Sequence, residues 1–127
     1  MTNDASRPLD IEITQVGSDL WRVNPVGELG RGTSERFPAM LAELMTQGAS
    51  RIVVDLSGVS FIDSTGINAL VVSCDTVATA GGSVIFAAPS EQTARLFELL
   101  RLTDVVTVEE SLDEALARAL ATNDELR

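Results

Sequence analysis

The feature that most constrains the fold of this chain is an alternation of short apolar runs with segments of helical periodicity. Residues 52–56 and 84–88 are nearly continuous apolar runs, which is typical of strands covered on both faces. Residues 67–77 and 94–100 place apolar side chains three and four positions apart, as in helices that bury one face. Strands that alternate with helices indicate a mainly parallel sheet packed against helices.

The N-terminal third predicts a hairpin followed by the first helix. Pro25 lacks an N–H donor, so we expect it at an edge position or a strand end. An apolar stripe over residues 37–45 predicts the helix, with Thr33 or Ser34 as its cap. Pro38 is tolerated only near the first turn, so the regular helix should begin later than these cap residues suggest.

The C-terminal half predicts further elements of both kinds. A loop through Gly58 follows the first buried strand, and a third helix turns Leu100 inward. Residues 105–108 predict a last short strand. Ser111 begins an S-x-x-E capping box, which opens a final helix with Leu120 on its buried side.

These elements fit one domain, because 127 residues leave little room for a second. The predicted fold class is α/β, with a mainly parallel, mixed sheet of about five strands packed against about four helices. We expect residues 1–10 to form a disordered tail, residues 11–121 the domain, and residues 122–127 a frayed C-terminus.

The charge balance narrows the choice of partners. The formal net charge is -10, and a surface this negative repels nucleic-acid phosphates and anionic membranes. Neither nucleic acid nor a membrane is therefore an expected partner. A protein with a basic face is compatible with this charge, although acidity that merely keeps the chain soluble is an equally good explanation.

Residue usage also narrows the chemistry. The chain has no histidine, which excludes Ser-His-Asp and Cys-His catalysis and histidine-based zinc sites. Its one cysteine, Cys74, falls on a buried helical stripe and is interpreted as a core residue in a cytosolic protein. No apolar stretch reaches the length of about 20 residues that spans a bilayer. We predict a cytoplasmic protein that is not an enzyme and has neither a cofactor nor a metal site.

The segment of residues 59–67 carries the functional signal. Asp63, Ser64 and Thr65 stand where a helix begins, and their side-chain oxygens suit the unpaired first-turn N–H groups. A phosphate on a hydroxyl at this place is stabilised by the helix N-terminus. Taken alone, however, Asp-Ser-Thr at a helix start is an ordinary cap.

From about Ile11 to Leu120 the chain resembles the STAS family, named for sulfate transporters and anti-sigma factor antagonists. The antagonist branch is the most similar. Four blocks carry the resemblance: Gly27-Glu28-Leu29 with Thr33, Ile52-Val53-Val54-Asp55-Leu56, Phe61-Ile62-Asp63-Ser64-Thr65-Gly66, and Gly81-Gly82 with Arg95-Leu96-Phe97.

This resemblance implies a cycle of partner switching. In the family, the serine directly after the aspartate is the phosphoacceptor, which here is Ser64. The unphosphorylated antagonist binds an anti-sigma factor that is also a serine kinase, and so frees a sigma factor. Phosphorylation by that kinase ends the binding, and a PP2C-type phosphatase restores the serine. Family members commonly have an aspartate after Gly-Glu-Leu, where this chain has Gly30.

The residues around Ser64 are candidates for partner binding. Asp63 either orients the Ser64 hydroxyl or caps the helix. For Thr65, capping or solvent exposure is favoured over a role as a second phosphoacceptor. Asn68 and Val72 lie on the helix side away from the apolar stripe; Val72 is a plausible partner contact, although a single exposed valine is also ordinary.

Three classes of function follow, and the leading one is a binding module switched at Ser64. The second is a STAS subunit that does not switch, within a lipid-transport or stressosome-like assembly. The third, an enzyme, is disfavoured because the sequence has neither a P-loop nor a Gly-x-Ser-x-Gly elbow.

Overall fold

A computed structural model describes the backbone of residues 9–125 and the side chains of residues 9–121. The elements in chain order are β1 (Asp10–Gln15), β2 (Leu20–Leu29), α1 (Phe37–Thr46), β3 (Arg51–Asp55), β4 (Val59–Ile62), α2 (Ser64–Thr79), β5 (Ser83–Ala87), α3 (Glu91–Leu99), β6 (Thr107–Glu109) and α4 (Leu112–Glu125). The predicted α/β class is confirmed, with six strands and four helices in the described residues.

The strands form one mixed sheet with the order β1-β2-β3-β5-β6. Only the pairing of β1 with β2 is antiparallel, and the other strand pairs are parallel. β2 is long enough to pair with two strands in turn: residues 20–23 pair with β3, and residues 27–29 pair with β4. Pro25 lies within β2, opposite Ile11 of β1, rather than at a strand end. On its other side it falls between the two parallel segments, so its missing N–H donor breaks neither parallel register.

The sheet separates two apolar clusters, because successive side chains of a strand point to opposite faces. On one face, Val54 and Phe86 belong to the larger cluster, which α1, α2 and α3 cover. On the other face, Val53 and Ile85 pack against α4 in the smaller cluster. The near-continuous apolar runs thus reflect burial on both faces, as the sequence predicted.

The strand β4 replaces the loop that was expected after β3, and it raises the strand count from about five to six. Val59 and Ile62 are buried while the two residues between them are exposed. This pattern lacks the strict alternation by which a half-buried strand is recognised. β4 is therefore recognised by its pairing with β2 rather than by its own sequence.

The predicted cap of α1 is wrong. The Thr33 hydroxyl donates to the Glu28 carbonyl at 2.7 Å, and the Ser34 hydroxyl donates to the Gly30 carbonyl at 2.9 Å. Both side chains therefore close the turn after β2 instead of capping a helix. α1 begins at Phe37 with Pro38 in its first turn, as the late start predicted.

Three apolar residues of the C-terminal half differ from the prediction, one expected in a strand and two expected to be buried. Val105 is 70% exposed, because a turn of 3₁₀ helix over residues 102–104 precedes it and β6 begins only at Thr107. Leu100 is 54% exposed because α3 ends at Leu99. Leu120 is 49% exposed, since α4 buries Ala115 and Ala119 against the sheet instead.

The chain ends differ slightly from the predicted boundaries. β1 begins at Asp10, the last residue of the predicted tail, while residues 1–8 lie outside the described part. The backbone of α4 continues to Glu125, past the predicted end of the domain at residue 121. Residues 126–127 lie outside the described part.

Candidate functional site: the start of helix α2

Asp63 sets the beginning of α2. Its backbone is extended, with φ -117° and ψ -173°, and its Oδ1 accepts the N–H of Gly66 at 2.9 Å. This bond satisfies one of the first-turn donors that a helix leaves without an intrahelical partner. Ser64 is consequently the first residue of α2, at the place the sequence predicted.

The second carboxylate oxygen of Asp63 joins α2 to the loop after β2. Oδ2 accepts the backbone N–H of Arg31 at 3.3 Å. The bonds from the Gly66, Arg31 and Thr65 N–H groups, together with the positive charge of Arg31, hold the pKa of Asp63 below its usual value despite some desolvation. Of the two roles predicted for Asp63, the structure shows that of the helix cap.

Two glycines make this arrangement sterically possible. A Cβ on Gly30 would lie 2.6 Å from Oδ2 of Asp63, so a side chain at this position would displace the capping carboxylate. A Cβ on Gly66 would lie 2.0 Å from the carbonyl oxygen of Leu29, where a fixed backbone group leaves no room. Asp63 therefore occupies the space that the side chain of an aspartate at position 30 would need.

The Ser64 side chain is exposed. Within the described residues its hydroxyl has no hydrogen-bond partner, so the oxygen is open to a reagent from solvent. Two large apolar side chains nearby in sequence are also exposed: Phe61 by 49% and Val72 by 40%. The accessible Ser64 hydroxyl thus lies at a helix start where Asp63 accepts hydrogen bonds from both Gly66 and Arg31.

Three of the predicted partner-binding residues line one groove. Thr65, Asn68 and Val72 of α2 face Glu35 and Pro38 at the start of α1, across a volume of about 180 Å³. Thr65 is half-buried, whereas Asn68 and Val72 are exposed. Asp63 is not among the residues that line this groove, but it is bonded to the loop that leads into α1.

The sequence interpretation missed two residues of the groove and an exposed aromatic residue on the strand before α2. Glu35 and Pro38 line the groove, and Phe61 is exposed on β4. Their position depends on how α1 packs beside α2 and on which face of a four-residue strand turns outward. The spacing of the residues contains no signal for either. The Gly-Glu-Leu-Gly segment does single out Gly30, but only as a departure from the family pattern and not as a contact of Asp63.

Cys74 lies away from the candidate site and is a core residue, as predicted. It is half-buried and packs against the larger cluster. Burial raises the pKa of its thiol to about 11, which leaves little reactive thiolate near neutral pH.

Two further observations concern the described residues as a whole. A groove of about 400 Å³ lies between β1 and α1 and contains none of the predicted site residues. No helix of residues 9–125 is both long enough and apolar enough to cross a membrane.

The described residues thus form an α/β fold with an exposed serine at the capped start of a helix. The family model described as the STAS domain matches residues 11–115. The chain belongs to the STAS domain family.

One relative agrees with this assignment, and two solved structures share the fold. An anti-sigma-B factor antagonist of Bacillus subtilis (strain 168) is 30% identical over 100 residues, which cover 79% of this chain and 90% of that protein. An anti-sigma factor antagonist from Mycobacterium paratuberculosis has a similar structure, with a TM-score of 0.77, 20% identity, and coverage of 92% and 98% of the two chains. The phosphorylated form of the Bacillus cell fate determinant SpoIIAA matches with a TM-score of 0.66 and 20% identity, over 86% and 98% of the chains.

Proposed function

We propose that this chain is an anti-sigma factor antagonist, which binds an anti-sigma factor and so releases a sigma factor. The observation that carries the proposal is the exposed Ser64 hydroxyl on a helix start fixed by Asp63. The names of the relatives supply the class of partner, since the Bacillus subtilis protein is an anti-sigma-B factor antagonist.

Phosphorylation of Ser64 by a serine-kinase activity of the anti-sigma factor ends the binding, and a PP2C-type phosphatase reverses it. Ser64 suits this role because its side chain is exposed, while the backbone beside it is bonded to Asp63. Phosphate adds about -1.5 to -2 charge at pH 7. A charge of this size inside a desolvated contact is costly unless it is paired.

The partner contacts a continuous surface around the switch. This surface consists of Asp63 and Ser64 at the helix start, and of the groove formed by Thr65, Asn68 and Val72 with the start of α1. The exposed apolar area of Val72 supports contact with a protein rather than with a small polar ligand. The net charge of -10 favours a partner with a basic face.

The protein acts by binding rather than by catalysis. The site contains the hydroxyl groups of Ser64 and Thr65, but the sequence has no histidine to activate either as a general base. We therefore expect the isolated chain to turn over no substrate. Reproducible ATP-dependent or metal-dependent turnover that disappears in Asp63→Ala would contradict this expectation.

The proposal is tested by mapping phosphorylation with mass spectrometry. The wild type, Ser64→Ala and Thr65→Ala are each incubated with the cognate kinase and ATP. We expect one phosphate on Ser64 in the wild type and in Thr65→Ala, and none in Ser64→Ala. Phosphorylation of Ser64→Ala to completion would contradict the assignment. A wild type that ignores the kinase but co-purifies with a transport or stressosome-like assembly would instead identify a STAS subunit that does not switch.

A further inference from the structure

The N–H groups of Gly66 and Thr65 at the start of α2 already interact with the carboxylate of Asp63. Gly66 donates to Oδ1 of Asp63 at 2.9 Å, and the Thr65 N–H also helps to stabilise this carboxylate. A phosphate on Ser64 would have to compete with a neighbouring carboxylate for the same donors. A phosphate would therefore share the donors of the helix start with Asp63, and a cation close to that start would strengthen its binding.

Arg31 is a cation on the loop that is bonded to this carboxylate. Its backbone N–H donates to Oδ2 of Asp63 at 3.3 Å, which fixes the position of the residue beside the helix start. Its guanidinium is near enough to contribute to the lowered pKa of Asp63. The Arg31 side chain is exposed and forms no ion pair with another described residue, so its donors are available.

The other charged side chains of this region are less suitable. Arg36 lines the separate groove between β1 and α1. Glu35 accepts the N–H of Gly32 with both carboxylate oxygens, at 2.9 and 3.2 Å. Glu28, on the adjoining end of β2, is exposed and negative. Arg31 is thus the one cation that the described loop brings to Asp63.

This inference rests on the proposed function. We propose that Arg31 is the residue that binds the phosphate of phosphorylated Ser64, through a salt bridge between its guanidinium and the phosphate oxygens. Guanidinium groups form two parallel hydrogen bonds with phosphate, which makes the pair specific as well as charged. The missing side chain at Gly30 keeps a second carboxylate out of this space. Phosphorylation thereby joins the loop after β2 to the start of α2 by an additional bond.

The test installs phosphoserine at position 64 during translation, so that no kinase is needed. The second ionisation of the phosphate is followed by ³¹P NMR against pH in the wild type and in Arg31→Gln. A nearby cation favours the dianion, so we expect the midpoint in Arg31→Gln to be higher by about 0.5 pH unit. Arg31→Lys keeps the charge and should stay close to the wild type.

The matched control is Arg95→Gln, which removes the same charge from α3, where Arg95 has only a 3.9 Å contact with Glu91. We expect this control to shift the midpoint by less than about 0.1 pH unit, because distant exposed charges are screened. Equal shifts in the two glutamine variants, or no shift in either, would overturn the role of Arg31. Failure of the kinase to modify Ser64 would contradict the proposed function alone, since the phosphoserine here is introduced without it.

Discussion

The helices α1 and α2 begin on either side of one groove, yet their first turns are built differently. At α2, the Asp63 side chain caps the helix, and Gly66 packs directly against the backbone of β2. At α1, the N-cap is Arg36, which makes no side-chain cap hydrogen bond, and the first turn contains no acidic residue. A side-chain cap and close packing against β2 therefore fix the helix start that bears Ser64, whereas the start of α1 has no side-chain cap. The proposed phosphorylation site thus lies on the more strongly bonded of the two helix starts.

The largest expected effect is that of Gly66→Ala. The added methyl group would meet the Leu29 carbonyl, with a Cβ to oxygen distance of 2.0 Å in the present backbone. Relief requires α2 to move away from β2, so we expect a loss of about 3 kcal/mol in the free energy of unfolding, measured by urea denaturation.

The matched control for this substitution is Gly17→Ala. Its Cβ would meet only the Leu20 Cβ, at an ordinary distance of 3.8 Å, so we expect a change within about 0.5 kcal/mol. Similar stabilities of the two variants would show that the start of α2 is not tightly packed, and the contrast between the two helices would fail.

A smaller loss is expected for Asp63→Ala. This variant removes the acceptor of the Gly66 N–H and of the Arg31 N–H together. Loss of a capping side chain typically costs about 1 kcal/mol, which urea denaturation resolves. Hydrogen exchange should accelerate at both amides. Unchanged exchange at the Arg31 amide would show that Asp63 does not hold the loop.

Acidification should destabilise the wild type more than Asp63→Asn. Bonds to the Gly66 N–H and other donors lower the folded pKa of Asp63, so its contribution is present above the ordinary value of about 3.9 and is lost as pH falls through the folded value. We expect thermal stability to decline less between pH 5 and pH 3 in the variant.

The variant will still lose some thermal stability in acid, because two other carboxylates also have lowered pKa values in the folded state. A hydrogen bond from Arg51 lowers the pKa of Asp19. At Asp55, desolvation raises the pKa, but bonds from Arg22 and Ser57 outweigh it. Identical acid profiles would contradict the bonds assigned to Asp63.

The smallest effect is expected at the other helix. Arg36→Ala removes no cap and takes a positive charge away from the positive end of the α1 dipole. Its free energy of unfolding should therefore be at least that of the wild type, and at most about 0.3 kcal/mol higher. A loss as large as that of Asp63→Ala would show that the two helix starts are equivalent after all.

The sequence predicted the elements whose apolar residues follow a simple local pattern. The runs at residues 52–56 and 84–88 are strands β3 and β5, because a strand buried on both faces must be apolar throughout. Ser64 was placed correctly since Asp63 is a good cap and directly follows an apolar segment. In these cases the local chemistry and the final packing require the same residues.

Elements that depend on long-range pairing or on the shape of a neighbour were not predicted. β4 forms only because β2 extends past β3 and offers a second edge. Val105 looks like a strand residue by composition, but the preceding 3₁₀ turn leaves it outside β6. The contact of Arg31 with Asp63 joins residues 32 positions apart, and nothing in the spacing of either segment indicates it.

The central claim, that phosphate on the fixed helix start at Ser64 controls partner binding, is tested most directly by calorimetry with the anti-sigma factor. Ser64→Ala should bind like the wild type, because its hydroxyl makes no bond within the described residues. The phosphorylated protein should bind at least about a hundredfold more weakly, since burying an imperfectly paired charge costs several kcal/mol and each 1.4 kcal/mol is about tenfold. Ser64→Asp should also bind weakly, although one carboxylate reproduces a phosphate only in part. Wild-type affinity in the phosphorylated protein would contradict the account.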